Sequence, residues 1–118
     1  MFSVDVRRLA AFYEVVLGAQ PSLESSGDIR LTNDRDEVLI HSIPKKIAEQ
    51  IEISIPPAPR DGSPLKPMFD VHSLETALDG VEATGGVITS RAFSLDGVTR
   101  RDVLDPDGNV IQLRHYLQ

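Results

Sequence analysis

The sequence predicts an α+β fold built from two similar halves, and three observations predict it. Two amphipathic segments read as helices, each leads into a run of short strand-like segments, and a shift of 68 positions lays one half on the other. Under that shift Ser73 falls on Asp5, both as helix caps, and Gly86 falls on Gly18, both at helix ends. The order is strand, helix and three strands, twice.

The first helix is marked by Val6, Leu9, Ala10, Tyr13, Val16 and Leu17, which recur at helical spacing as one apolar stripe. Asp5 stands at the N-cap, where a carboxylate bonds free amides, and Gly18 is the stop. Leu74, Ala77, Leu78 and Val81 repeat the pattern, with Ser73 as cap and Gly85-Gly86 as stop. Strands are expected over 28–32 and 37–43, separated by the polar turn 33–36. Further strands are expected over 66–71, 86–90, 98–104 and 109–115, while 20–27 reads as a weak edge strand. In the middle, 45–50 suits a helical turn and 51–55 alternates like a strand. The prolines of 56–64 sustain neither, because they remove donors and fix dihedrals. The division is one domain, 1–118: a first module 1–43, a linker 44–65 and a second module 66–118.

Composition narrows the class. A length of 118 residues, 41% apolar and 25% charged, supports one modest core and argues against wholesale disorder. Residues 1–8 do not read as a signal peptide and no apolar run reaches membrane-span length, so a cytoplasmic protein without membrane contact is expected. The absence of cysteine excludes disulfides and thiolate chemistry. A net charge of −6 with no basic stripe argues against nucleic acid, and Arg7-Arg8 and Arg100-Arg101 read as solvated or cavity-lining pairs. No P-loop, dinucleotide-binding glycine pattern or nucleophile elbow is present.

Two segments carry a resemblance. One is Val6-Arg7-Arg8-Leu9-Ala10-Ala11-Phe12-Tyr13-Glu14-Val15-Val16-Leu17-Gly18, with its Phe-Tyr pair and Leu-Gly ending. The other is Asp105-Pro106-Asp107-Gly108-Asn109-Val110-Ile111-Gln112-Leu113, which reads independently as a structural turn and strand. In this order the chain resembles the vicinal oxygen chelate superfamily of glyoxalase I, fosfomycin and bleomycin resistance proteins and extradiol dioxygenases. The resemblance implies two βαβββ modules forming a curved mixed sheet around a central cavity, with helices on the outer face. It also implies, for the family's metalloenzymes, His and Glu ligands on the first and last strand of each module.

Those positions are poorly filled here. The family's final-strand Glu falls on Gln112, a neutral donor, and a first-strand His falls near Lys66, whose ammonium repels cations. The matching position in the first half precedes Met1, so the first strand is expected to be short or missing unless a neighbouring subunit completes the sheet. The remaining position is Leu39 or His41, which share one strand face. His72 and His115 complete no cluster, and Glu37 and Glu52 have no nucleophile to serve.

The favoured reading is therefore a binding protein with an incomplete metal site and no cofactor. Its pocket is expected to be lined by Leu39, His41, Lys66, Val110 and Gln112, with Lys66 favouring an anionic group on a small ligand. One alternative is a divergent metal-dependent lyase, isomerase or dioxygenase. Another is a dimerisation or regulatory module, since an unpaired sheet edge invites a partner strand, and a homodimer is expected.

Overall fold

A computed structural model of the chain describes residues 1–23, 27–60, 62 and 65–116. Residues 24–26 of the expected edge strand, 61, 63 and 64 of the linker, and 117–118 lie outside the described residues. The elements are β1 (Phe2–Ser3), α1 (Val6–Leu17), β2 (Gln20–Leu23), β3 (Ile29–Thr32), β4 (Glu37–Ser42), α2 (Lys45–Ala48), β5 (Met68–Asp70), α3 (Leu74–Ala83), β6 (Val87–Leu95), β7 (Val98–Leu104) and β8 (Val110–Tyr116).

Both long helices begin and end on the expected chemistry. Asp5 accepts the Arg8 amide, Ser73 accepts the Thr76 amide, and Gly18 closes α1 in the left-handed conformation. α1 buries Leu9, Tyr13 and Val16 of the stripe, together with Phe12 outside it, against Ile29, Leu31, Val38 and Ile40 of β3 and β4. Ala77 and Val81 of α3 join Phe69, Val103, Ile111 and Leu113 in the same cluster, and α1 packs on α3, so one core spans both modules.

The duplication is visible in the topology. The sheets run β1-β4-β3-β2 and β5-β8-β7-β6, each with one parallel pair, β1 with β4 and β5 with β8. The fold class is as expected: α+β, two βαβββ modules, mixed sheets with helices on one side. Among the described residues the strands divide between two four-stranded sheets that no strand pairing joins. The first strand is short, as expected. It has two residues, and the Met1 carbonyl accepts the His41 amide at 2.7 Å while the Met1 amino group donates to the Leu39 carbonyl at 2.8 Å.

Two expectations need correction. Residues 51–55 form no strand. Ile51 and Ile53 are half-buried between exposed neighbours, so the alternation is real, but the segment pairs with no strand among the described residues. In contrast, β6 runs well past residue 90. It continues through a bulge between Ile88 and Ala92, which breaks the alternation there, and Thr89 braces the bulge by donating to the Asp102 carbonyl at 2.6 Å. It ends at a two-residue turn, Asp96-Gly97, with positive φ at both positions, as a tight hairpin between Leu95 and Val98 requires.

The Asp105–Asn109 turn does more than reverse the chain. Asp105 Oδ1 accepts the Asp107 and Asn109 amides, and Gly108, at φ 85°, bonds back to the Asp105 carbonyl. The same turn clamps the modules together. Tyr13 Oη donates to Asp105 Oδ2 at 2.6 Å, Ser3 Oγ donates to Asp107 Oδ2 at 2.7 Å, and Arg8 Nη2 donates to the Pro106 carbonyl at 2.7 Å. The linker joins this clamp through the Arg60 amide, which donates to the Gly108 carbonyl. Among the described residues no helix is long and apolar enough to cross a membrane.

Candidate functional site

Alternation along β7 and β8 determines what each sheet face offers. Val103, Ile111 and Leu113 enter the core, so Arg100, Asp102, Val110, Gln112 and Arg114 lie on the opposite face of the second sheet, Asp102 and Gln112 buried there and the other three half-buried. Asp102 faces Gln112 across the strand pair, and Gln112 faces Met68 on its other side. Gln112 Nε2 donates to Asp102 Oδ1 at 3.2 Å, and Lys66 Nζ donates to Asp102 Oδ2 at 2.9 Å. Lys66 is held there because the neighbouring Pro67 carbonyl accepts the Gln112 amide at 2.9 Å. Asp102 is 2% exposed and Gln112 6%. A carboxylate this buried needs a counter-charge and donors on both oxygens, and it has them.

Lys66 and Gln112 are therefore brought together, with Val110 on the same face. The charge of Lys66 is met by Asp102 in an ion pair. Leu39 and His41 stand on β4 of the other sheet, on the face away from buried Val38 and Ile40. His41 takes the place in the first sheet that Gln112 takes in the second, since each faces the first residue of its module's opening strand. Its Nδ1 lies 2.9 Å from Asp28 Oδ2, and its ring lies 5.1 Å from that of Phe2. The Ser42 amide, then the His41 ring, hold the Asp28 carboxyl below its ordinary value of 3.8.

The metal implied by the resemblance does not fit these residues. Among the described residues no three His, Cys, Asp or Glu side chains come together. At the second sheet, an ammonium and an amide already occupy both oxygens of Asp102, and the ammonium opposes a divalent cation.

Two cations on this face differ in their surroundings. Arg114 Nε donates to Asp70 Oδ1 at 3.0 Å, and Arg35 approaches Asp70 Oδ2 at 3.3 Å. Arg100, which faces Arg114 across the strands, has no carboxylate partner among the described residues. Its guanidinium lies 5.5 Å over the Phe93 ring, and its Nη1 is buried without a hydrogen-bond partner. Separately, a cleft of about 630 Å³ opens where the C-terminal turn of α1, the β3–β4 turn and the β5–α3 junction meet, lined by Val15, Asn33, Arg35, His72 and Thr76 among others. None of the five expected site residues lines it.

Sequence reasoning missed Asp102, although a signal was present. The turn 105–109 sets Leu104 opposite Val110, and counting back two residues on β7 and forward two on β8 puts Asp102 opposite Gln112. Arg100 was seen only as half of a basic pair. Its isolation depends on Asp70 serving Arg114 instead, a long-range choice that no local pattern carries.

No family model matches the chain, and no curated protein matches it. Solved structures do. A protein described as a glyoxalase/bleomycin resistance protein/dioxygenase family enzyme from Burkholderia phytofirmans PsJN is 20% identical at a TM-score of 0.72, covering 99% of this chain and 94% of that one. A glyoxalase/bleomycin resistance protein from Albidiferax ferrireducens T118 is 20% identical at 0.70, covering 98% and 93%. The fosfomycin resistance protein FosX from Listeria monocytogenes is 12% identical at 0.68, covering 98% and 87%. The chain thus has the fold shared by these vicinal oxygen chelate proteins over nearly its whole length, and at these identities the likeness concerns the fold.

Proposed function

We propose that this chain is a small-molecule-binding protein acting as a homodimer, with the ligand held on the face of the second sheet that carries Lys66, Asp102, Gln112 and Val110. The carrying observation is the buried Asp102–Gln112 pair, capped by the solvent-reaching Lys66, on a face that also carries the exposed apolar side chains Met68, Phe93, Leu95 and Tyr116. Rigid polar groups inside an apolar surround are how proteins orient small ligands, and exposed apolar side chains on one face call for a covering. In the homodimer a second copy lays its first sheet over this face and brings its own Leu39 and His41 to the ligand. Phe2, 70% exposed beside His41, supports that use of the first sheet.

Binding is favoured over catalysis because both oxygens of Asp102 are already engaged within the protein, by Lys66 and Gln112. The fold shared with proteins described as fosfomycin and bleomycin resistance proteins supports a small ligand. We place the protein in the cytoplasm, in keeping with its cysteine-free composition. A thermal-shift screen against small organic molecules, run beside sedimentation analysis, tests the reading. The unaltered protein is expected to sediment as a dimer and to gain melting temperature with some members. Gln112→Leu is expected to lose the gain as a dimer, and Phe2→Asp to lose it as a monomer. A gain that survives both substitutions contradicts the proposal.

A further inference from the structure

We infer that Arg100 is the anion anchor of the second-sheet face, and that the ligand class is a small amphipathic carboxylate whose apolar part lies on Phe93, Leu95 and Tyr116. This rests on the reading of that face as the ligand site. Three cations stand on or beside it, and two are spent: Lys66 on Asp102 and Arg114 on Asp70. Arg101 points to the other side, where its Nε donates to the Thr89 carbonyl. Arg100 alone among them has no carboxylate among the described residues, and it sits directly across from another guanidinium. Like charges opposite each other in a strand pair disfavour the pairing, so an anion arriving here relieves a cost as well as forming bonds.

The details point to an organic carboxylate. Nη1 of Arg100 has no acceptor among the described residues, and a buried donor left so is costly. A guanidinium fork matches the two oxygens of a carboxylate. Phe93 faces Arg100 across β6 and β7 with the guanidinium carbon 5.5 Å from its ring centre, while Leu95 and Tyr116 both face Val98, one pairing away on the same face. Phe93, Leu95 and Tyr116 are each at least 50% exposed, an apolar surround that an inorganic anion leaves unused.

Three probes separate the possibilities: benzoate, its neutral isostere benzamide, and acetate, which lacks the apolar body. Each is titrated into the unaltered protein and followed by amide chemical shifts. Benzoate is expected to bind at least about tenfold more tightly than either other probe, shifting the amides of Arg100, Asp102 and Gln112. Arg100→Met keeps the chain length and removes the charge. It is expected to lower benzoate affinity to that of benzamide, while the melting temperature holds because the repulsion with Arg114 goes too. The benzoate-to-benzamide ratio on the unaltered protein carries the test without any variant. If both aromatic probes bind this face equally, Arg100 is not the anchor and the ligand face stands. If acetate equals benzoate, the amphipathic class is wrong. If no probe shifts this face, the ligand-face reading fails and the anchor fails with it.

Discussion

Lys66 Nζ stands 2.9 Å from Asp102 Oδ2, a side chain 38% exposed set against one that is 2% exposed. That difference in burial decides what each partner costs to remove. Water can resolvate a stranded Lys66, whereas a stranded Asp102 keeps only the Gln112 amide.

Lys66→Met is therefore expected to destabilise more than Asp102→Asn, by about 2 against about 1 kcal/mol, well under the cost of breaking a fully buried pair because Lys66 reaches solvent. The double substitution is expected to cost less than the sum of the two. Urea unfolding of the four proteins in one cycle measures this, and additive costs would show that the pair is not coupled.

Tyr13→Phe removes the hydroxyl that α1 donates to Asp105 across the two modules. A hydrogen bond to a buried charged group implies a loss of about 2 kcal/mol in chemical unfolding. Burial, then the charge of Asp105, hold the Tyr13 phenol well above its ordinary 10.0. The raised value means that the folded state keeps a proton the unfolded state releases. Stability from this group is full below 10.0 and is lost as pH rises through the folded value. The Phe variant is expected to lack that alkaline loss, so its deficit should shrink in strong alkali. A deficit constant with pH contradicts the clamp.

Asp107 behaves in the same sense at the acid end. Burial raises its carboxyl above 3.8 although the Ser3 hydroxyl opposes the shift. Stability from this group is full below 3.8 and is lost as pH rises through the raised folded value. Asp107→Asn cannot ionise, so it should gain on the unaltered protein as pH rises from about 3 to about 6. Parallel stability curves for the two proteins across that range would remove the effect.

Much of this fold was legible in the sequence because its determinants are local. Asp5, Gly18 and Ser73 act on amides and dihedrals within a turn of the chain, and the six-residue stripe of α1 has a single solution as a buried face. The 51–55 segment misled because alternation reports burial, while a strand also needs a neighbour. At the site, Gln112 and Lys66 were found through the resemblance, but their meaning changed with Asp102, which is 10 residues from one and 36 from the other. The open cation at Arg100 follows from which acids are used elsewhere, and only the folded arrangement assigns those.

Amide spectra recorded during a benzoate titration test most directly whether the second-sheet face is where small molecules bind. Shifts gathered on Lys66, Asp102, Val110 and Gln112 are the predicted result. Shifts confined to Asn33, Arg35, His72 and Thr76, around the cleft between the modules, would contradict it.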